Sequence, residues 1–175
     1  MKSYSFKAAA PCSSLWKVII FSIPAPLTQI LVCGRTKPVI LLRSSEKRMM
    51  QIPLKTETIP EDCLIKPETD YLHITTNNTI YGTEYWKFPE VDIPIICDMS
   101  SDILSRRIDF NRFDMIWAGI QKNLGAAGMA LVILKKDFAK TARTDIPPFL
   151  QYKTFIEKDS AYNTPPVFCI YTLNK

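Results

Sequence analysis

"FDMIWAGIQKNLGAAGMALVILKK", residues 113–136, holds two apolar runs, 113–119 and 128–136, parted by a polar and glycine-rich segment. Short runs that stay apolar throughout read as strands buried on both faces. "IPIICDMSS" (93–101) is a third run of this kind. "DYLHITT" (70–76) alternates and is rich in β-formers, so it reads as a fourth strand. Asn77, Asn78 and Gly82 behind it supply turn chemistry. Strands buried on both sides need helices over both sheet faces, so the pattern predicts an α/β fold.

The chain has 175 residues, enough for one domain or for one domain with an appendage. Residues 1–50 differ from the rest. They carry eight Lys/Arg against one acid, while residues 51–175 carry fourteen against sixteen. The overall charge of +5 therefore describes the first part alone. No aromatic-basic interleaving accompanies it, so nucleic acid is not the expected partner. Short apolar strands at 18–23 and 39–42 are the only elements suggested there. The run 16–35 is broken by Pro24, Pro26 and Gln29 and falls short of the ~20 apolar residues a membrane span needs. No small-residue cleavage site follows it, as a secretory signal would require.

The five cysteines are odd in number and none forms a CxxC pair, which suits reduced thiols in a cytoplasmic setting. With one histidine, His73, no zinc-ligand set is expected. His73 reads as a packed or hydrogen-bonded residue. Near the end, Asn163-Thr164 stand before two prolines and an apolar run, an order that suits a capped helix start.

Lys122 lies just past the strand at 113–119, among Gly119, Gly125 and Gly128. Sheet edges at strand C-termini are where α/β proteins place ligands. A partly buried lysine there loses proton affinity and becomes a nucleophilic amine. The plain alternative is a surface lysine in a turn. Asp98 ends an otherwise apolar strand, 24 residues before Lys122. That interval is one strand–connection–strand step, so both can occupy one sheet edge. A carboxylate facing a pyridinium nitrogen and an amine for an aldehyde are the minimal equipment for pyridoxal phosphate. For Asp98 the alternative is a cap to the turn "DMSS".

The stretches "DYLHITTNNTIYGTE", "CDMSSDILSRRID", "AGIQKNLGAAG" and "YNTPP" resemble, collinearly over about residues 56–175, the phosphoserine aminotransferase family of class V pyridoxal phosphate-dependent aminotransferases. The resemblance implies part of the mainly parallel-sheet large domain of an aspartate-aminotransferase-like, fold type I enzyme. It implies that Lys122 links to the cofactor and moves the substrate Cα proton. It also implies that Asp98 keeps the pyridine nitrogen protonated. Gln121 and Thr79 become cofactor contacts, and Asn163 and Thr164 reach the cofactor phosphate of a neighbouring subunit in a homodimer. Trp117 and Tyr85 are expected in the core, and Arg106 and Arg107 as solvated loop charges.

The implied reaction moves an amino group between O-phosphoserine and 2-oxoglutarate, giving 3-phosphohydroxypyruvate and glutamate in serine biosynthesis. A bacterial member would also serve a vitamin B6 step. The sequence departs from the family at Ile120, where a small residue is usual, and at Ala126, where proline is common. Residues 1–50 do not resemble it and form a leader of unassigned character. Residues 51–175 are expected to be a partial cofactor-binding large domain lacking the C-terminal small domain. A non-catalytic fragment or degenerate copy that pairs with a full-length subunit is the alternative reading.

Overall fold

The computed structural model describes residues 16–22, 49–51, 65, 67 and 69–175. Its eight strands are β1 (Trp16–Ser22), β2 (Met49–Gln51), β3 (Tyr71–Thr75), β4 (Asn77–Asn78), β5 (Thr83–Glu84), β6 (Ile95–Asp98), β7 (Met115–Gly119) and β8 (Met129–Lys135). The α-helices are α1 (Ile120–Asn123), α2 (Lys136–Lys140), α3 (Tyr152–Glu157) and α4 (Val167–Leu173).

Six strands form one sheet in the order β1-β8-β7-β6-β3-β2. β2, β3, β6 and β7 run parallel to one another, while β8 is antiparallel to both β7 and β1. All four apolar runs of residues 70–136 are strands of this sheet. β4 and β5 make a separate hairpin.

The apolar runs divide by pleat. Leu72, Ile74, Ile95, Cys97, Ile116 and Ala118 enter a core with Tyr85, Phe88, Met99, Ile103 and Phe113. Their sequence neighbours Tyr71, Ile96 and Met115 enter a second core with Val132, Leu134 and Phe155. α3 supplies Phe155 to that second core. Alternating residues of one strand thus feed two cores, so the strands must be apolar on both sides. Full burial of a side chain such as Leu72 or Ile116 stabilises the sheet by about 1.5–3 kcal/mol. A third, smaller cluster joins Ile120 and Met129 to Cys169 on α4.

The leader contributes to the same sheet. β1 pairs along its length with β8, from Trp16 opposite Lys135 to Ser22 opposite Met129. The strand expected at 18–23 is therefore present, shifted to 16–22, and it takes the first residues of the apolar run 16–35. The strand expected at 39–42 lies outside the described residues.

The helix after Asn163-Thr164 starts later than expected. Pro166, not Asn163 or Thr164, occupies the N-cap position of α4, with no side-chain cap. A residue preceding proline is pushed out of the helical region. Thr164 precedes Pro165 and Pro165 precedes Pro166, so the helix cannot begin before the second proline. Trp117 and Tyr85 pack in the cores as expected. His73 is buried, and its ring nitrogens have no hydrogen-bond partner among the described residues. Burial without a partner disfavours the imidazolium and lowers its pKa to about 4.

The β4–β5 hairpin turns through Gly82 at φ +67. Asn78 closes the turn, its side-chain oxygen accepting from the Ile80 and Tyr81 amides and its carbonyl from Gly82. Gly82→Ala should cost about 1 kcal/mol, because a Cβ is disfavoured in the left-handed region although nothing lies within 4 Å of it. Gly82→Asn should cost less, since asparagine tolerates this conformation. Urea denaturation midpoints of the two variants check this.

Candidate active site

Three parallel strand ends build the site. Thr75 on β3, Asp98 on β6 and Trp117 on β7 stand in register, so their side chains share one sheet face. β7 continues two residues past Trp117 to Gly119 and then turns directly into α1, the single helical turn that carries Gln121 and Lys122. β3 runs instead into the β4–β5 hairpin, which carries Thr79. The hairpin and α1 meet above the strand ends, where Lys122 Nζ donates to Thr79 Oγ1 at 3.0 Å across 43 residues of chain.

Lys122 is exposed rather than partly buried, as its position alone suggested. α1 is too short to bury its outer face, and only Ile120 of its four residues is buried. Ile120, the bulky departure noted in the sequence, points away into the small cluster with Met129 and Cys169. It therefore packs under α1 and does not crowd the lysine.

Asp98 caps the turn that follows β6, the plainer of its two sequence readings. Its Oδ1 accepts from the Ser100 amide at 2.9 Å and from the Ser100 hydroxyl at 2.6 Å, as a cap to the following turn would. The Ser100 hydroxyl in turn accepts from the Gly119 amide at 2.9 Å, which ties the carboxylate to the end of β7. Oδ2 makes no hydrogen bond to any described residue and remains available. Burial pushes the Asp98 carboxyl above its ordinary range, and the Ser100 hydrogen bonds and then the Lys122 charge oppose that rise. Lys122 is thus close enough for its charge to act on Asp98, although they are 24 residues apart.

Gln121 folds back over Gly119. A Cβ built on that glycine would lie 2.8 Å from the Gln121 amide nitrogen, so a side chain at 119 would push the flexible end of Gln121 aside. Asn163 is half-buried and Thr164 exposed in the stretch before α4. Lys122 meets Thr79 and acts through its charge on Asp98, and Gln121 adjoins it in α1; neither Lys122 nor Asp98 hydrogen-bonds to Asn163 or Thr164.

Ser100, Thr76 and Asp102 were not singled out from the sequence. The Asp-x-Ser spacing within "DMSSD" was the available signal, because it suits a side chain bonding two residues ahead. Arg106 corrects another expectation. It is not a solvated charge: it donates to Glu84 at 2.8 Å and to the Tyr85 carbonyl, and lies 5.1 Å from the Trp86 ring centroid. Glu84 on the hairpin and Trp86 and Phe88 just beyond it come together on Arg106, a grouping that no local pattern announces. Arg107 is exposed, as expected.

The sequence pattern of the aminotransferase class-V family matches residues 50–175. The chain belongs to that family. Phosphoserine aminotransferase of Flavobacterium psychrophilum is 49% identical over 133 residues, covering 76% of this chain and 35% of that protein. The solved phosphoserine aminotransferase of Bacillus circulans subsp. alkalophilus superposes with a TM-score of 0.77 at 29% identity, covering 92% of this chain and 51% of that one. A pyridoxal phosphate-bound phosphoserine aminotransferase from Trichomonas vaginalis gives 0.74 at 25% identity, covering 91% and 55%. The fold is therefore that of the fold type I class-V enzymes. The chain spans about a third of the length of the curated relative and about half of the solved ones.

Proposed function

We propose that this class-V chain is a piece of a phosphoserine aminotransferase and carries its pyridoxal phosphate platform. The observation that supports this best is the convergence of Lys122 and Asp98 at adjoining strand ends, with Thr79 holding the amine and Oδ2 of Asp98 without a hydrogen bond among the described residues. The donor set suits the cofactor's chemistry: an amine for its aldehyde, and an anionic oxygen for its ring nitrogen. Bound there, pyridoxal phosphate supplies an electron sink for bond breaking at the substrate α-carbon.

The chain's own residues then do the following. Lys122 binds the cofactor and moves a proton at the substrate Cα. Asp98 holds a proton at the ring nitrogen, and Ser100 fixes the carboxylate's orientation. Thr79 and Gln121 line the cofactor's surroundings. Asn163 and Thr164 reach the cofactor phosphate held by a second subunit, so the complete site belongs to a homodimer. The parent reaction converts O-phosphoserine and 2-oxoglutarate to 3-phosphohydroxypyruvate and glutamate in the cytoplasm, with the related 4-phosphohydroxythreonine step of vitamin B6 synthesis as a second use.

Residues 51–175 are read as part of the large domain and residues 1–50 as a leader of separate origin, even though β1 joins the same sheet. A non-catalytic role, pairing with a full-length subunit, is favoured by the exposure of Val167, Phe168 and Tyr171 on α4, at 75%, 68% and 58%. One experiment separates the readings. The purified chain is titrated with pyridoxal phosphate, reduced with borohydride, digested and analysed by mass spectrometry, and assayed for transamination. Cofactor trapped on Lys122 with little turnover is the expected result. Failure to trap it there at saturating cofactor sinks the platform.

A further inference from the structure

We propose that Asp102 is a neutral carboxylic acid that, through the Thr76 hydroxyl, ties down the main chain of Asp98 beneath the candidate cofactor seat. Thr76 and Asp102 are 0% and 3% exposed. The Thr76 hydroxyl oxygen lies 2.5 Å from Asp102 Oδ1 and 3.1 Å from the Asp98 carbonyl oxygen. A carbonyl only accepts, and so does a carboxylate, but a hydroxyl has a single hydrogen to give. Both contacts are satisfied at once if the acid donates to Thr76 and Thr76 donates to Asp98. The Thr76 amide already donates to the same carbonyl at 3.0 Å, so the side chain completes a two-point grip on it.

A second observation agrees. Asp102 Oδ2 is buried and has no hydrogen-bond partner among the described residues. An ionised carboxylate with one oxygen left bare in the interior is costly, whereas the carbonyl oxygen of a neutral acid tolerates it better. The nearby cation does not supply a direct partner: the hydrogen bonds of Arg106 go to Glu84 and to the Tyr85 carbonyl. The other ionisable groups facing Asp102 are Glu84 and the buried Cys97 thiol. Burial raises the Asp102 carboxyl above its ordinary range. The Thr76 hydrogen bond opposes the rise, Glu84 reinforces it, and Arg106 opposes it.

Asp102 is therefore a positioning residue. It acts where β6 ends and where β3 hands over to the Thr79 hairpin. Its effect on cofactor binding rests on the reading above, but the protonation and the grip are measurable without cofactor.

Infrared difference spectra of the chain at about pH 6, some two units above the ordinary carboxylate range, test the protonation. The wild-type minus Asp102→Asn spectrum should show a protonated-carboxyl stretching band, and its absence overturns the proposal. Hydrogen exchange over residues 76–84 and 98–105 tests the grip. Asp102→Asn should keep wild-type protection, because its amide N–H donates to Thr76 as the acid does, and Thr76→Ser should keep it too. Asp102→Ala and Thr76→Val should exchange several-fold faster. An Asp102→Asn chain that exchanges as fast as Asp102→Ala, or fails to fold, overturns the proposal.

The pH dependence has a definite sign. A carboxyl whose folded pKa is raised contributes fully below its unfolded value and loses that contribution as pH rises through the folded value. The wild-type melting midpoint should therefore fall relative to Asp102→Asn across that window, and a relative rise counts against a neutral Asp102.

Discussion

Lys122→Ala is expected to abolish the covalent capture of pyridoxal phosphate while leaving the fold intact. The side chain is exposed, and among the described residues its one hydrogen bond is to the exposed Thr79 hydroxyl at 3.0 Å. Removing such a contact changes stability by less than about 0.5 kcal/mol. Ile120, which anchors α1 in the third cluster, is untouched. Loss of function and loss of fold are thus separable here. Thermal melting should be unchanged, while the cofactor's bound absorption band and the borohydride-reduced adduct should both vanish. Adduct formed to the same extent in the variant would mean that another amine does the work. Lys135, paired with Asp114 at 3.1 Å, stands at the opposite end of these strands, where β8 finishes and β7 begins.

Asp98→Asn is expected to separate stability from binding in the other direction. Asparagine keeps an oxygen for the Ser100 amide and hydroxyl, so the turn survives. It does not titrate. Asp98 has a raised carboxyl pKa, chiefly through burial, so the folded wild type holds a proton at pH values where the unfolded chain has released it. Its stability contribution is then lost as pH rises from the ordinary 3.8 through the raised value. The melting midpoint of Asp98→Asn should therefore climb relative to wild type across that window. Cofactor affinity should move the opposite way. A hydrogen bond between charged groups contributes about 1.5–3 kcal/mol, so replacing the anion should weaken pyridoxal phosphate binding roughly 10- to 150-fold. Equilibrium dialysis at neutral pH measures this, and unchanged affinity would remove Asp98 from the proposed site. The stability half of the prediction stands without any cofactor.

Much of this arrangement was legible because its causes are local. The run 93–101 had to be a strand buried on both sides, since Ile95 and Cys97 feed one core while Ile96 feeds the other. The same holds for Met115 and Ile116 on the next strand. Asp98 and Lys122 stood out because each interrupts or closes such a run. Other features depend on partners distant in sequence and were misread or missed. Arg106 resembled a solvated charge until the hairpin supplied Glu84, 22 residues earlier. Thr76 and Asp102 are 26 residues apart, and neither has a pattern that announces a proton held between them. The start of α4 was local but misjudged: a capping residue ahead of two prolines cannot cap, because each proline bars its predecessor from the helix.

By itself, the order of residues determined the alternation that makes four buried strands, the small residues around α1, and the placing of an acid and an amine at two strand ends. These follow from side-chain polarity and backbone freedom, which each residue carries with it. Only the tertiary structure decided that β8 turns antiparallel and accepts β1 from the basic leader. It also decided that Lys122 stays exposed beside Thr79, and that one oxygen of Asp98 accepts both hydrogen bonds from Ser100. Those outcomes depend on which hydrogen-bonding groups meet once the sheet has closed, and on how much water each keeps. Neither quantity is a property of any single stretch of chain.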